Sequence, residues 1–406
     1  MEYGLIGEKL SHSYSVKIHG EFASYNYALQ PIEKDMVESF IKQKKYRGLN
    51  VTIPYKQAVM PYLDDVSQVA KKIGCVNTIL NDNGVLKGYN TDYYGFLYNA
   101  KRYNISFEDK EVVILGNGAT SKTAQAVVGD QKPKSLTVIS RTGVNNYQTV
   151  YSLVGTQIII NTTPVGTFPQ VDESPIDLSK FLFLEGVIDV VYNPSRTQLL
   201  LQAQSLGVKA VNGLGMLVAQ GAMACELFTG KKVSEANIER AIKSLSKDLK
   251  NIVLVGMPGS GKSTVAKLLS KKLDMPVIDT DLLIEQKENR SIPEIFSIDG
   301  EEYFRKVEKE VISKISLERG KIISTGGGVV LDKENSLSLK RNGVVYYLDR
   351  ELDKLAKRNR PISIKDGVET LYQKRKDFYA YATDKKIDNN GQIEQTVNQI
   401  IGDYLQ

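Results

Sequence analysis

The sequence predicts an α/β protein built on parallel sheets. Short apolar runs rich in β-branched residues recur along it: Val112 to Leu115, Val138-Ile139, Ile158 to Ile160, Ile252 to Val255, Ile322-Ile323 and Val344 to Leu348. Each ends in Gly or polar residues, as strands buried on both faces do. Stretches of helical periodicity, such as Ser263 to Leu273, alternate with them. Two of the strands open directly into Gly-rich loops, at Gly116 and Gly256. One nucleotide-binding sheet rarely starts twice, so a domain boundary is expected between them.

A length of 406 residues suits two or three domains. No apolar run approaches the roughly 18 residues of a membrane helix. Met1 to Gly7 reads directly as a strand, without the basic and apolar regions of a signal peptide. Cys75 and Cys225 have no metal spacing, which argues against a zinc or disulfide framework. These features favour the cytoplasm. The net charge of +6 is mild and the lysines are dispersed. Anionic small substrates account for that bias as well as a nucleic-acid surface does, so small-molecule partners are expected, with no nucleic acid and no membrane. The only histidines are His12 and His19. Acid–base chemistry elsewhere must therefore use Lys, Asp, Glu or Tyr.

In the N-terminal half, Gly116-Asn117-Gly118-Ala119 follows the strand Val112 to Leu115 as a dinucleotide loop does. The next strand ends Ile139-Ser140-Arg141. An NAD-type site places an acid about there, whereas Arg141 suits the 2′-phosphate of NADP. Further segments are His12 to Ser15, Gly48 to Lys56, Gly74 to Thr78, Gly88 to Asp92 and Gly213 to Met216. Together they resemble shikimate dehydrogenase, from about Glu2 to Leu245. The resemblance implies Lys56 and Asp92 as the catalytic pair. It implies Ser13, Ser15, Asn50, Thr52, Asn77, Thr91, Tyr192 and Gln220 as substrate contacts. It also implies an NADPH site of Gly116, Asn117, Gly118, Ala119, Arg141, Gly213 and Met216. The chemistry agrees: hydride addition to a ketone leaves charge on oxygen, where an ammonium group held by a carboxylate is useful. Val16 stands where the family usually has Pro, and Lys122 where it has Arg. The stretch from Thr142 to Gln157 is short, predicting a trimmed cofactor domain. His12 and His19 are expected to help shape the entry loop, without a catalytic role.

The charged stretch Lys243 to Lys250 reads as a helix end plus a short linker. Beyond it, Gly256-Met257-Pro258-Gly259-Ser260-Gly261-Lys262-Ser263-Thr264 fits G-x-x-x-x-G-K-[ST] between a strand and a helix. Its backbone N–H groups would cradle ATP phosphates, Lys262 would reach the β- and γ-phosphates, and Ser263 would bind Mg²⁺. Val277 to Asp281 reads as a strand ending in two carboxylates on one face, one for Mg²⁺ and one as proton acceptor.

Downstream lie Phe304 to Glu308, Ser324 to Gly328, Arg358 to Pro361 and Arg375 to Tyr379. This set resembles shikimate kinase over residues 249–406. The resemblance implies Asp279 for Mg²⁺ and Asp281 as the base. It implies Arg305 and Arg375 on the substrate carboxylate, Glu308 orienting Arg305, Gly326, Gly327 and Gly328 against the substrate, and Arg360 as the lid arginine. The lid between Leu352 and Ile364 is short, and Lys357 stands where the family usually places an adenine-stacking Arg.

The expected architecture is a shikimate dehydrogenase two-lobe fold followed by a P-loop kinase. A substrate domain spans 1–98 and 213–245, a Rossmann-like NADP domain 99–212, and the kinase 249–406. The expected reactions are NADPH-dependent reduction of 3-dehydroshikimate to shikimate, then phosphorylation of shikimate by MgATP. The rival readings are a chain with one active half, or a ligand-sensing protein on the same folds.

Overall fold

A computed structural model describes residues 2–10, 13–355 and 367–405. It divides into two compact units: residues 1–192 with 197–245, and residues 193–196 with 246–406.

The first lobe of the first unit runs β1 (Tyr3–Gly7), α1 (Ser15–Phe22), β2 (Tyr27–Pro31), α2 (Val37–Gln43), β3 (Gly48–Val51), β4 (Asp65–Val66), α3 (Gln68–Ile73), β5 (Thr78–Asp82), β6 (Val85–Tyr89) and α4 (Thr91–Arg102). Its sheet has the order β2-β1-β3-β5-β6-β4. Strands β1, β2 and β3 are parallel, but β5 pairs antiparallel with both β3 and β6. The sheet is therefore mixed, not parallel throughout. The cause is local: Asn83 and Gly84 both have positive φ and close a tight hairpin between β5 and β6. Ile6, Leu49, Val51, Ile79 and Leu86 pack on one face of this sheet, and Tyr3, Leu5 and Tyr27 on the other.

The second lobe contains β7 (Glu111–Leu115), α5 (Ala119–Asp130), β8 (Ser135–Ile139), β9 (Ile158–Asn161), β10 (Gly186–Asp189), α6 (Gln198–Ser205) and β11 (Lys209–Val211). All five strands are parallel, in the order β11-β10-β9-β7-β8. Val112 and Ile114 face one side, Val113 and Leu115 the other, as the period of two requires. Between β8 and β9 there is only a single 3₁₀ turn, Val150–Ser152, where a doubly wound sheet ordinarily carries a helix. The chain then returns to the first lobe through α7 (Leu214–Thr229). This helix packs its Met216 into the second lobe's core and its Ala224 and Phe228 against Tyr3, Leu5 and Tyr27.

Helix α8 (Glu235–Leu249) runs through nearly all of the stretch expected to be a helix end and linker. Only Lys250 separates it from β12 (Asn251–Val255). There follow α9 (Lys262–Leu273), β13 (Val277–Asp279), α10 (Thr280–Glu288), α11 (Ile292–Ile298), α12 (Gly300–Ile315), β14 (Ile322–Ser324), α13 (Lys333–Asn342), β15 (Gly343–Asp349), α14 (Val368–Ala382), β16 (Lys385–Asp388) and α15 (Ile393–Tyr404). The sheet is parallel, in the order β13-β14-β12-β15-β16. Val253 and Val255 face one core, Ile252 and Leu254 the other. Among the described residues no helix is long and apolar enough to cross a membrane.

Two candidate active sites

In the first unit, Lys56 follows β3 and Asp92 lies in the first turn of α4. Lys56 Nζ donates to Asp92 Oδ2 at 2.5 Å, and both side chains are largely buried. Asn90 caps α4, its Oδ1 accepting from the Tyr93 N–H while its Nδ2 donates to the Cys75 carbonyl. The helix start, and Asp92 with it, is thereby held against the loop that precedes β5. Asn77 clamps the same turn: the Thr91 N–H donates to Asn77 Oδ1 at 2.7 Å, and Asn77 Nδ2 donates to Thr91 Oγ1 at 3.0 Å. Gln220 reaches in from α7, with its Oε1 3.4 Å from Thr91 Oγ1. Asn50, on β3, donates to Thr78 Oγ1 at 3.0 Å and accepts from the Tyr27 hydroxyl at 2.7 Å. Thr52 comes immediately after the end of that strand. Ser13 Oγ and Ser15 Oγ are 3.1 Å apart at the start of α1, and Tyr14 packs edge-on to Tyr192 with ring centroids 6.0 Å apart.

The expectation for the histidines needs correction. His12 lies outside the described residues. His19 is not in a loop: it sits inside α1, 2% exposed, stacked on Tyr27 with ring centroids 4.0 Å apart. Burial pushes its imidazole down to about 3.

In the second lobe, Gly116 and Asn117 lead from β7 to Gly118, which stands at the N-cap of α5 with no side-chain cap. The N–H groups of that first turn, from Ala119 on, thus point outward for an anion. A Cβ at Gly118 would meet nothing within 4 Å, so the loop has room beside it. Arg141 is exposed just past β8, the strand next to β7. Gly213 begins α7, too close to the Val190 carbonyl for any side chain, and Met216 is buried one turn on.

In the second unit, Gly259 and Gly261 have φ of 91° and 93°, which lets the loop curl before α9 begins at Lys262. Lys262 is 8% exposed, and its Nζ donates to the carbonyls of Gly256 at 2.8 Å and Met257 at 3.2 Å. Ser260 is buried within the curl, and Thr264 is exposed on the first turn of α9. Ser263 Oγ donates to Asp279 Oδ2 at 3.0 Å.

The two carboxylates do not share a strand face as expected. Asp279 ends β13 and caps α10, accepting from the N–H groups of Asp281 and Leu282, so Asp281 lies in the first helical turn. Its carboxylate instead packs against Gly326, where a Cβ would come within 2.6 Å of Oδ1. Burial raises the Asp281 carboxyl above its ordinary range; the charges of Asp279 and Glu285 act in the same direction, and those of Lys262 and Arg305 oppose it.

The turn Gly326 to Gly328 is tied down from several sides. The Gly326 N–H donates to Thr280 Oγ1 at 3.0 Å. The Gly327 carbonyl accepts from Arg375 Nη1 at 2.9 Å and from the Tyr379 hydroxyl at 2.6 Å. A Cβ on Gly328 would come within 2.5 Å of the Arg305 guanidinium, so a side chain there would push that group from its place. Arg305 is held by Glu308 at 2.7 Å and Glu301 at 3.0 Å. Burial raises the Glu308 carboxyl, and Arg305 opposes that shift. Lys262, Ser263, Asp279, Asp281, Arg305 and Arg375 all line one cavity of about 540 Å³, with the Gly326 to Gly328 turn as part of its wall. Arg360 and Lys357 lie outside the described residues.

Comparison with known proteins matches the chain to two families. A shikimate dehydrogenase (NADP(+)) of Clostridium beijerinckii is 40% identical over 247 residues, 56% of this chain and 91% of that protein. The chain belongs to the shikimate dehydrogenase family. Family profiles for the shikimate dehydrogenase substrate binding domain and the shikimate 5′-dehydrogenase C-terminal domain match residues 5–79 and 213–243. A third profile, shikimate kinase, matches residues 258–404. The chain thus joins a shikimate dehydrogenase to a shikimate kinase domain, two activities of the shikimate pathway.

Among solved structures, a chorismate mutase/shikimate 5-dehydrogenase fusion protein from Clostridium acetobutylicum is 34% identical, covering 60% of this chain and 97% of that one, with a TM-score of 0.58. A Thermus thermophilus shikimate 5-dehydrogenase in complex with NADP(H) and shikimate is 27% identical, covering 60% and 99%, with a TM-score of 0.55.

Within the dehydrogenase site, sequence reasoning overlooked Tyr27, Thr78 and Asn90. Asn90 carries a signal, because an Asn directly before a Thr-Asp helix start is a cap. Tyr27 carries none, being brought to Asn50 only by the pairing of β2, β1 and β3. In the kinase domain, Tyr379 lies one helical turn beyond Arg375, a spacing that already places both on one face.

Proposed function

We propose that this chain reduces 3-dehydroshikimate to shikimate with NADPH in its first unit, and phosphorylates the 3-hydroxyl of shikimate with MgATP in its second. One observation carries the reading: two complete sets of reacting groups in a single chain. The largely buried Lys56–Asp92 pair at 2.5 Å is one. The other is the convergence of the phosphate loop, Asp281, Arg305 and Arg375 on one cavity.

NADPH, when bound, supplies the hydride. Gly116 to Ala119 at the uncapped start of α5 would hold its pyrophosphate, Arg141 its 2′-phosphate, and Gly213 and Met216 would be further contacts. Lys56 holds a proton where negative charge develops on the substrate oxygen, and Asp92 fixes the direction of its ammonium group. Asn50, Asn77, Thr91 and Gln220 offer the donors and acceptors that hydroxyl groups need, while Ser13, Ser15, Thr52 and Tyr192 close round the carboxylate end.

In the kinase unit, Arg305 and Arg375 suit the substrate carboxylate, because a planar guanidinium offers two parallel donors. Asp281 takes the proton of the attacking hydroxyl. That oxygen then bonds to the γ-phosphorus of ATP as the bond to the β-phosphate bridging oxygen breaks. Lys262 leaves the Gly256 and Met257 carbonyls for the phosphates, and Arg360 belongs with it as a second cation. The convergent hydroxyl of Ser263 and carboxylate of Asp279 are hard oxygen donors that would hold Mg²⁺. Bound there, Mg²⁺ neutralises charge on the phosphates.

Steady-state assays of Lys56→Ala and Lys262→Ala test both halves. Lys56→Ala should lower dehydrogenase turnover by on the order of 10²–10⁴-fold with the kinase unchanged. Lys262→Ala should lower kinase turnover by on the order of 10²–10³-fold with the dehydrogenase unchanged. A parent chain that neither oxidises shikimate with NADP⁺ nor phosphorylates it with MgATP ends the proposal.

A further inference from the structure

Arg350 follows β15, beside the phosphate loop, and its position is tightly set. Asp349 pairs with Asp388 of β16, and the Asn389 N–H donates to the Asp349 carbonyl at 2.8 Å. On the other side, the Glu351 N–H donates to Asn390 Oδ1 at 2.8 Å. Both acidic neighbours in sequence are already taken: Asp349 by Lys386 and Glu351 by Lys354, each at 2.8 Å. The Arg350 guanidinium is directed at the loop instead. A Cβ built on Gly261 would lie 3.7 Å from its Nη1 and 3.6 Å from Asn389 Nδ2. Asn389 in turn donates to the Ser260 carbonyl, so it braces the same curl. Arg350 Nε is buried and has no hydrogen-bond partner. Gly261 lines the cavity that gathers Asp281, Arg305 and Arg375, whereas Arg350 stands outside that lining. A cation with a buried, unused donor, braced against a loop built for phosphates, is placed for an anion.

We propose that Arg350 is a further nucleotide-binding residue of the kinase, giving its guanidinium to a phosphate oxygen of the nucleotide held by Gly256 to Thr264. The inference rests on the kinase reading above. Because ATP and ADP share that contact, it contributes to nucleotide affinity rather than to the transfer step.

The test uses the full chain with Arg350→Ala and Arg350→Lys, measuring MgADP and inorganic tripolyphosphate affinity by calorimetry and both activities by steady-state kinetics. Arg350→Ala should weaken MgADP about tenfold and tripolyphosphate in parallel, as loss of a hydrogen bond to a charged group does. KM for ATP should rise similarly. The kinase kcat, the KM for shikimate and the dehydrogenase activity should hold, and Arg350→Lys should recover part of the affinity. MgADP affinity within twofold of the parent overturns the assignment. So does weakened MgADP with unchanged tripolyphosphate, which would put the contact on the base or ribose. If Arg350→Ala misfolds, Arg350→Lys with parental affinities for both ligands overturns it as well. A parent chain that binds no MgADP removes the kinase reading and this inference together.

Discussion

Asp281 shows how a single carboxylate acquires its chemistry from its surroundings. It is enclosed by Gly326, by the capped start of α10 and by the cavity wall, and burial makes its charged form harder to reach. A base works only when deprotonated. Raising its carboxyl therefore moves the acid limb of the pH profile upward. Kinase kcat/KM for shikimate is expected to fall on acidification at a pH above the ordinary aspartate range, and Asp281→Asn should abolish that limb together with most of the turnover. A limb unchanged in residual Asp281→Asn activity would assign it to another group.

The residue scale is also where sequence and structure part most visibly. Lys262, Ser263 and the loop glycines are legible because one motif occupies consecutive positions. Asp-x-Asp after an apolar run fits the period of two, which predicts a strand position for Asp281. Asp279 instead spends its oxygens on the next two N–H groups and starts a helix, a competition that the spacing alone does not reveal. Arg350 belongs to no motif, and only its distance from Gly261 in the folded chain shows that it faces the loop.

At the scale of elements, the dehydrogenase site depends on how closely α4 and α7 approach. Two glycines set the distance. A Cβ on Gly95 would lie 2.5 Å from the Met216 carbonyl, and one on Gly215 would lie 2.2 Å from Asn99 Oδ1. Asn99 is 1% exposed and already donates to the Asn212 carbonyl at 2.8 Å, so it has little freedom to retreat. Gly215→Ala is expected to cost about 1–3 kcal/mol through overpacking. It should lower the Tm of the dehydrogenase unit by several degrees and raise its KM for shikimate, since Asp92 and Gln220 ride on the two helices. An unchanged Tm in differential scanning calorimetry would mean that the pair spreads without strain. The parallel strands were legible at this scale because each is a continuous apolar run. The hairpin β5–β6 was not, although Asn83-Gly84 between two strands carries the signal.

At the scale of the whole molecule, each unit has its own sheets and cores, so unfolding in one all-or-none step is not expected. The first unit carries an acid-sensitive element in His19. Its imidazole is neutral when folded, pushed down to about 3 by burial, and takes up a proton on unfolding at any pH below its ordinary value of 6.5. The stabilisation is thus complete above that value and lost as pH falls toward 3. The slope should reach about 1.4 kcal/mol per pH unit for this one proton. Denaturant titrations of the dehydrogenase unit at pH 7 and pH 5 measure it, and His19→Phe, which can keep the stack on Tyr27, should flatten the difference. Equal slopes in the two proteins would assign the acid sensitivity elsewhere.

The return of the chain through α7 has a consequence for synthesis on the ribosome. The nascent polypeptide completes Lys56 and Asp92 early, yet Ala224 and Phe228, which cover Tyr3, Leu5 and Tyr27, emerge more than a hundred residues later. At translation rates of about 5–20 residues per second, that aromatic face stays without its cover for on the order of ten seconds. A ribosome stalled before Leu214 would leave the face bare.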